Sequence, residues 1–574
     1  MSTPDVVVIG AGADGPACAA RLARKHGLDV LILEAGPWHG NDQWPEPHSK
    51  AGGTESSSPT DLNGKLLDEQ LTALEAASID RIGGMFRLGP ANLDRPPWMR
   101  TIHQNALTWH VNAVGGTSLS SFNNYPRAYP HAINEQDHWP IDYEELVPYY
   151  QHNEMVTNVQ QAPITAKHQP FLRGAEEVGF ERSETLNVTD TGYRPLPNAI
   201  TAPPEELNAE YDGSFSYEDG FRGNSLIADE FMGSPTPTDA PVDEKARKSS
   251  NVSWVPRALA ATDEPEMGNV AIRPNTAVTT ITIEGGEATG VEYRNTWSGD
   301  TGTVTADVVV LAAGTIESPR LWLNSGLPDD GWVGKGLTTH WFDWIVGVFP
   351  DDVLKDLTGQ PEFRPYAGDA GAVMVDKPGT GCIKDATGPA GVTSLACYLL
   401  SQAGYSFDTD VDPDEPWDGR GYLVGTELKR KMARYKQTTS LFIYTDDLPR
   451  QSNGVTLDSG FSDEHGPVAQ VSWTPHPDDS AKRDELARMG AHILRAAGAE
   501  YVHRVDWAPL LTFAQSSLGM GRVLDANAEA KNVPRLFVAD HSALPNCLGG
   551  PAPTNTGQAL ALRTADRIAQ LYFQ

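Results

Sequence analysis

The chain is poor in cysteine, and its few cysteines form no recognisable site. Its 574 residues contain four, Cys18, Cys382, Cys397 and Cys547, and none belongs to a CxxC pair or a CxxCH haem-attachment motif. A metal centre or an attached haem is therefore not expected. Disulfides are not expected at this density either, which suits a reducing, cytoplasmic compartment.

Basic residues are also scarce, and long apolar runs are missing. Lys and Arg number 44 against 76 Asp and Glu, so the formal net charge is -32. Without a basic stripe to displace phosphate counterions, the composition argues against a nucleic-acid partner and against an anionic membrane surface. No apolar run approaches the roughly 20 residues of a membrane span, and Asp5 leads straight into an apolar strand rather than a signal peptide. We expect an acidic cytoplasmic protein with no membrane partner.

What the sequence does have is a βαβ pattern at its N-terminus. The apolar strand Val6–Ile9 is followed by an alanine-rich helix through Ala17 to Lys25 and by a second apolar strand, Val30–Leu33. Two short apolar strands around an amphipathic helix are typical of a parallel, doubly covered sheet. We therefore predict a Rossmann-like unit here.

The turn after the first strand carries a GxGxxG motif. Gly10 permits the tight turn, Gly12 lets the backbone approach a pyrophosphate, and Gly15 lets the helix pack on the strand. The helix then points free N–H groups and its positive dipole end at phosphate. Glu34 ends the second strand, where it can accept hydrogen bonds from ribose hydroxyls and disfavours the 2′-phosphate of NADP. The motif predicts a bound dinucleotide but does not choose between FAD and NAD.

Strand patterns return in the middle and at the end of the chain. They cover residues 270–272, 277–283, 290–293, 308–311 and 536–538, and a helix is predicted from about Asn555 to Gln570. Polar, proline-rich residues 199–250 interrupt the pattern and are interpreted as a lid-like excursion. We predict an α/β fold with a discontinuous Rossmann-like domain and a second, α+β substrate domain containing an antiparallel sheet. The first domain takes residues 1–130, 250–335 and 505–574, and the second takes residues 131–249 and 336–504.

A series of ordered motifs gives the family. They are Val114-Gly115-Gly116-Thr117-Ser118-Leu119, Asn123-Asn124-Tyr125-Pro126-Arg127, Ala312-Ala313-Gly314-Thr315-Ile316-Glu317-Ser318-Pro319-Arg320, Val333-Gly334-Lys335-Gly336-Leu337 and Leu536-Phe537-Val538-Ala539-Asp540. In that order and spacing the chain resembles the glucose-methanol-choline (GMC) oxidoreductases over nearly its whole length. Within that family it looks most like the branch with gluconate-dehydrogenase-like and pyranose-oxidase-like enzymes.

The resemblance implies FAD as the cofactor and assigns residues to it. The turn of Gly115, Gly116 and Thr117 would let backbone lie against the isoalloxazine edge, where a side chain would clash. The same resemblance gives cofactor-binding roles to Asn123, to Val278 at the adenine, to Ala313 and Gly314 along the pyrophosphate, to Asp540 at the ribityl and phosphate region, and to Thr554 and Asn555 at the flavin pyrimidine. The dipole of the C-terminal helix would stabilise the anion of reduced flavin. Covalently flavinylated relatives carry a histidine after the GGTS-type turn, where this chain has Ser120 and Ser121, so non-covalent FAD is predicted.

The chain departs from the family at the catalytic pair. Members that oxidise alcohols take the hydroxyl proton with a histidine in an HxxGT loop, paired with Asn or His in an NPTxT motif; imidazole suits the task because its pKa lies near working pH. Here Phe513 and Ala552 occupy those two places. The usual catalytic pair is therefore predicted to be missing.

Three other residues are candidates for catalysis. His340 ends the VGxxL segment, His541 follows Asp540, and Gln515 lies in the loop that lost its histidine. Each histidine has an alternative interpretation as a buried side chain that only forms structural hydrogen bonds. Gln515 is a poor base but is suited to binding substrate.

Three functions remain open at this stage. The first is an FAD-dependent oxidoreductase that moves hydride from a small polar substrate, a sugar, glycoside or other alcohol, to flavin N5, with O2 or another electron acceptor reoxidising the flavin. The second keeps FAD but uses atypical chemistry, such as dehydrogenation at an activated carbon, a lyase or rearrangement reaction, or a photochemical step, because the catalytic pair is absent. The third is a flavoprotein without catalytic activity. The sequence gives no oligomeric state.

Overall fold

A computed structural model describes most of the chain. It covers residues 3–38, 103–104, 107–108, 110–121, 124–136, 138–162, 164–200, 248–296, 298–363, 371–388, 390–408, 416–506 and 510–574. Asn123 and most of the predicted lid-like excursion lie outside the described residues. Within them, no helix combines the length and the apolar character that crossing a bilayer requires.

The helices are interspersed among runs of strands along the chain. The strands are β1 (Val6–Ile9), β2 (Val30–Leu33), β3 (His103–Gln104), β4 (Leu107–Thr108), β5 (Val159–Gln161), β6 (Gly192–Pro195), β7 (Pro197–Ala199), β8 (Val270–Arg273), β9 (Thr276–Glu284), β10 (Glu287–Asn295), β11 (Thr301–Thr305), β12 (Val308–Leu311), β13 (Thr338–Val348), β14 (Val373–Lys377), β15 (Gly381–Asp385), β16 (Gly404–Phe407), β17 (Trp417–Asp418), β18 (Thr438–Thr445), β19 (Gly454–Asp463), β20 (Gly466–Ser472), β21 (Tyr501–Val505), β22 (Leu510–Gln515) and β23 (Leu536–Val538). The α-helices are α1 (Gly15–His26), α2 (Pro130–Asn134), α3 (Tyr143–Val156), α4 (Gln169–Glu177), α5 (Trp254–Leu259), α6 (Gly314–Asn324), α7 (Asp351–Thr358), α8 (Ala390–Ala403), α9 (Gly425–Ala433), α10 (Pro477–Ala496) and α11 (Thr554–Tyr572).

A five-stranded parallel sheet forms the first layer. Its order is β23-β12-β1-β2-β8, and each neighbouring pair runs parallel. Four of its strands read as continuous apolar runs because both faces are covered, as in other parallel sheets. Helices α1, α5 and α11 cover one face, while α3 and the β9-β10-β11 sheet pack on the other.

The predicted elements of this layer are confirmed with small changes at their ends. β1, β2, β12 and β23 have the predicted bounds. The strands predicted at 277–283 and 290–293 are β9 and β10, which form a hairpin with Glu284 opposite Glu287 across the Gly285-Gly286 turn. Helix α1 begins two residues earlier than predicted, at Gly15, because the third glycine of the motif is already helical.

A large antiparallel sheet forms the second layer. Its order is β17-β16-β21-β13-β18-β15-β14-β6, and β22 pairs with the N-terminal half of β13. Helices α4 and α10 pack on one face, in a core that includes Phe171, Ile345 and Leu494. The opposite face carries Trp344, Cys382 and Tyr444. This face meets the loop before α11, since the Cys382 thiol lies 3.5 Å from the carbonyl oxygen of Gly550.

Two elements lie across the predicted domain boundaries. Helix α3 falls in the predicted substrate segment, yet its Leu146 and Tyr150 belong to the core beside the parallel sheet. Strand β22 falls in the predicted FAD segment but pairs with β13 of the antiparallel sheet. These two elements pack in the layer opposite to the one that the predicted boundaries assign to them, and the boundaries stay a prediction. The fold class is confirmed by the likeness to solved flavoenzymes described below.

Candidate active site

A long cleft lies at the carboxyl ends of the parallel strands, which is where open α/β sheets bind ligands. It encloses about 1410 Å³, including space open to solvent. Its wall runs from Glu34 and Val278 at one end, past Gly12, to Phe513 at the other. We call the first end the nucleotide end and the second the reaction end.

The middle of the cleft is lined by backbone without side chains at Gly10, Gly12 and Gly116, which we call the cradle. Gly10 has φ 110°, and a Cβ on it would lie 2.3 Å from the carbonyl oxygen of Ala312. Gly116 faces Gly12 so closely that a Cβ on Gly116 would lie 2.8 Å from the Gly12 Cα. Two segments about a hundred residues apart thus meet without side chains, as the approach of a pyrophosphate and a flavin requires.

Two of the predicted glycines shape the cradle from outside the cleft wall. A Cβ on Gly15 would lie 2.2 Å from the carbonyl oxygen of Gly10, so this glycine allows the helix to pack on the turn. Gly115, with φ 104°, donates its N–H to the carbonyl oxygen of Ala11 at 2.7 Å. Gly116 and Thr117 line the cleft itself.

Glu34 closes the nucleotide end. Its carboxylate accepts the N–H of Ala11 and the N–H of Gly36, both at 2.8 Å. Burial raises the pKa of Glu34 to about 7, against the effect of these two donors. Val278 lines the same end, and its contact with adenine stays a prediction.

Asp540 holds the start of helix α6 over the cleft. Its carboxylate accepts the N–H of Gly314 at 2.9 Å, the Ser318 hydroxyl at 2.6 Å and the N–H of Ser542 at 2.8 Å. Burial raises the pKa of Asp540 despite these donors. Ala313, Gly314 and Asp540 all line the cleft, so this part of the predicted set lies together.

The structure separates the predicted pair at the start of α11. Thr554 lines the cleft, but the fully buried Asn555 points elsewhere. The Asn555 amide donates to the carbonyl oxygen of Tyr125 at 3.1 Å and accepts from the Asn153 amide at 2.8 Å. Asn555 therefore joins α11 to α3, and the helix offers Thr554 and its N-terminus to the cleft.

His541 stands beside Asp14 in the cleft wall. The His541 Nε2 lies 3.4 Å from a carboxyl oxygen of Asp14, but this Nε2 and the other Asp14 oxygen have no hydrogen-bond partner among the described residues. Burial lowers the pKa of His541 to about 4 and raises that of Asp14 well above its usual range. Buried polar atoms without partners are rare in folded proteins. A neutral pair with unused polar atoms fits a polar cofactor that carries its own phosphate charge.

His340 and Gln515 lie behind the reaction end and not in its wall. His340 is fully buried, and its Nδ1 lies 3.0 Å from the carbonyl oxygen of Thr445. Its Nε2 lies 3.3 Å from the Gln515 side-chain nitrogen. Burial lowers the pKa of His340 to about 4. The ring of Phe513, 5.9 Å from the His340 ring between centroids, stands at the front and lines the cleft.

The two places of the expected catalytic pair hold no titratable group. Phe513 has φ 56°, an unusual backbone conformation for a bulky residue, and such outliers concentrate at functional sites. Ala552 is buried. The reaction end thus has no proton acceptor at the two positions where the alcohol-oxidising members of the family carry their catalytic pair.

Sequence reasoning missed several residues in and behind the cleft wall. Thr108, His110 and Asn112 line the cleft but belong to no motif. Behind Phe513, the buried amine of Lys384 donates to the Asn124 side-chain oxygen at 3.1 Å. The sequence did not mark Lys384 as a site residue, because a lysine followed by an aspartate in a short strand is usually exposed. Only the register of the sheet shows that its side chain is buried.

Comparison with known proteins supports the same assignment. Two GMC oxidoreductase family models match residues 232–342 and 449–561. The chain is 25% identical to 2-methyl-1,2-propanediol dehydrogenase of Mycolicibacterium austroafricanum, over 99% of this chain and 95% of the relative. It is 26% identical to paromamine 6'-oxidase of Streptomyces fradiae, over 98% of this chain and 91% of the relative.

Solved structures show the same fold. Pyridoxine 4-oxidase from Mesorbium loti superposes with a TM-score of 0.60 at 16% identity, covering 99% of both chains. The formate oxidase of Aspergillus oryzae RIB40 gives a TM-score of 0.59 at 13% identity, covering 99% of this chain and 98% of the other. The family and FAD predicted from the motifs are confirmed, and the finer branch stays a prediction. The chain therefore contains the N- and C-terminal domains of the GMC oxidoreductases, a family of FAD-dependent oxidoreductases.

Proposed function

We propose that this enzyme oxidises a carbinol carbon of a small polyol or sugar-like substrate, with FAD held non-covalently in the cleft. The observation that carries the proposal is the continuous cleft from Glu34 to Phe513, whose centre is bare backbone at Gly12 and Gly116. The names of relatives aligned over nearly the full chain support the substrate class, since they act on a diol and on an aminoglycoside.

FAD supplies a two-electron acceptor for the hydride of the substrate when it is bound. In the proposal Glu34 and Val278 hold the adenosine, and the Gly12–Gly116 cradle lies along the pyrophosphate and the flavin edge. Thr554 and the N-terminus of α11 would hold the flavin pyrimidine, where the helix dipole would stabilise negative charge. O2 or another acceptor reoxidises the cofactor, and a cytoplasmic location fits the cysteine content.

Anaerobic bleaching of the flavin tests the proposal. Purified FAD-loaded enzyme is mixed, without oxygen, with 2-methyl-1,2-propanediol, paromamine, pyridoxine, glucose and a panel of glycosides. At least one polyol or sugar is expected to bleach the oxidised flavin, and acid precipitation is expected to release all FAD into the supernatant. If none of these compounds bleaches the flavin, the substrate class is wrong; if FAD stays with the pellet, non-covalent attachment is wrong.

One observation favours a second candidate function. Phe513 and Ala552 place no base at the expected pair, which suits FAD chemistry that needs no proton acceptor there. The double substitution Phe513→His with Ala552→Asn distinguishes the two functions. A large gain of alcohol oxidation over an inactive parent would support the second function, whereas an active parent that loses rate supports the first.

A further inference from the structure

Lys384 is a buried amine on the face of the antiparallel sheet behind the reaction end. Its side chain is almost completely buried on β15, opposite Phe442 in the neighbouring strand. The Nζ lies 4.1 Å from the ring centroid of Tyr444 and 5.6 Å from that of Phe513. Two aromatic rings and one amide thus lie beside the amine, and the thiol of Cys382, on the same strand, is close enough to interact with its charge.

A second feature of this amine is the lack of a counter-ion among the described residues. Among the residues that the structure describes, no carboxylate forms an ion pair with Lys384, and its hydrogen bond goes to the neutral amide of Asn124. Burial of an ammonium without a partner favours the neutral form. Burial accordingly lowers the pKa of Lys384 to about 8, so the amine exchanges a proton near neutral pH.

The position of Lys384 matters because Phe513 stands where the family carries its base. Phe513 lines the cleft, and the Lys384 amine lies 5.6 Å from the centre of its ring, behind the wall. The amine therefore reaches the place left without imidazole only when the Phe513 ring turns aside. The other candidates are less suited: the His340 ring is enclosed by backbone at Thr445 and Pro551, and His541 lies beside Asp14. The amide of Gln515 has no useful basicity.

Resting on the proposed function, we propose that Lys384, as a neutral amine, accepts the hydroxyl proton of the substrate and so replaces the missing histidine. The O–H bond breaks, its proton binds the Lys384 lone pair, and its electron pair forms the carbonyl. The carbinol hydrogen leaves with two electrons as hydride to FAD. Lys384 loses the proton to solvent after the electron acceptor has reoxidised the cofactor.

Asn124 and Tyr444 suit the two states of the amine. The Asn124 amide nitrogen donates to the Asn198 side-chain oxygen at 2.9 Å and to the carbonyl oxygen of Gly371 at 3.1 Å. The Asn124 side-chain oxygen is thereby held towards Lys384, where it accepts one N–H of the amine. The lone pair of the neutral amine then points away from Asn124. When the amine takes up a proton, the face of Tyr444 stabilises the new cation. A buried lysine tuned close to working pH is a recognised form of general base.

Acylation measures the amine without any substrate. FAD-loaded enzyme is treated with a small acylating reagent across a pH series, and modification of Lys384 is compared by mass spectrometry with that of the exposed Lys429. The rate at Lys384 is expected to level off above about pH 8, while FAD stays bound. A rate that still rises above pH 10, or an amine that the reagent never reaches, overturns the proposal, because a base must be neutral and accessible.

Two substitutions test the role in turnover. Lys384→Met removes the amine, and Lys384→Arg keeps a cation that cannot be deprotonated in a protein. Both variants are expected to retain FAD and wild-type melting temperature and to lose at least about 100-fold in the rate of flavin bleaching, the usual worth of a general base. The control Lys377→Met alters a more exposed lysine on β14 and is expected to leave the rate unchanged.

The results separate the alternatives. If Lys384→Arg keeps the wild-type rate, the cation itself is needed, as for an anionic substrate group, and the base role is wrong. If no alcohol or sugar bleaches even the wild-type flavin, the proposed function fails, and the acylation profile alone decides whether Lys384 is a reachable neutral amine.

Discussion

The nucleotide end and the reaction end of the cleft are built in different ways. At the nucleotide end, Gly10, Gly12 and Glu34 come from one short segment, and each works through backbone contacts. At the reaction end, Phe513 and Lys384 come from different strands and meet only because the antiparallel sheet places them together. The first end carries the glycine motif predicted to bind the dinucleotide, whereas Phe513 and Ala552 leave the second without a titratable group at the two positions predicted for the catalytic pair. Cofactor binding therefore tests the first end, and turnover tests the second.

Closing the bare-backbone cradle should have the largest effect. Gly116→Ala places a Cβ 2.8 Å from the Gly12 Cα at a position with φ 53°. We expect FAD affinity to fall at least about 100-fold, because backbone on both sides cannot give way. Titration of apoprotein with FAD measures it. The control Gly419→Ala, which meets no atom within 4 Å, should bind normally, and equal affinity for both variants would contradict the cradle.

Removing the carboxylate at the nucleotide end should have a smaller effect. Glu34→Ala leaves the buried N–H groups of Ala11 and Gly36 without their acceptor. The substitution also removes the acceptor proposed for the ribose hydroxyls. A hydrogen bond to a charged group contributes about 1.5–3 kcal/mol, so FAD should bind roughly 10- to 100-fold more weakly. Glu34→Gln, which keeps one acceptor, should lie between. A Glu34→Ala variant that binds FAD like the wild type would remove Glu34 from the cofactor site.

Substitution of His541 tests whether this residue binds the cofactor or takes part in catalysis. His541→Gln removes a ring that lies beside Asp14. We expect FAD to bind about 3- to 10-fold more weakly, as for the loss of one modest polar contact, with the rate of flavin bleaching in the loaded enzyme unchanged. A large loss of rate at full FAD occupancy would instead make His541 catalytic, as the sequence predicted.

Substitution of His503, which lies in neither end of the cleft, should affect the cofactor site least and change only the stability of the fold. His503 is buried on β21, neither ring nitrogen has a hydrogen-bond partner among the described residues, and burial lowers its pKa to about 3. Below about pH 6.5 the imidazole of His503 is protonated in the unfolded chain but stays neutral in the folded chain. The histidine therefore destabilises the fold increasingly as the pH falls from about 6.5 towards the folded pKa. As the pH falls, the free energy of unfolding of the wild type should decrease by about 1.4 kcal/mol per pH unit more than that of the His503→Gln variant. Urea unfolding of apoprotein from pH 7 to 4.5 measures it, and parallel curves would contradict the burial argument.

The sequence predicted local features well and side-chain encounters poorly. Val6–Ile9 and the glycines after it follow from short-range rules, because a tight turn and a buried strand each need particular residues in order. Asn555 was wrongly grouped with Thr554 because the two are adjacent in sequence, whereas a helix turns successive side chains by about 100° and sends Asn555 to α3. Lys384 was missed since its surroundings depend on strand register and on contacts across 260 residues.

The most direct test is the pH dependence of anaerobic flavin bleaching in wild type and Lys384→Met, both fully loaded with FAD, with a substrate found in the panel. The account predicts a wild-type rate that rises with pH and levels off above about pH 8, and a variant that is at least about 100-fold slower without this rise. A variant with the wild-type rate and the wild-type pH profile would contradict the account.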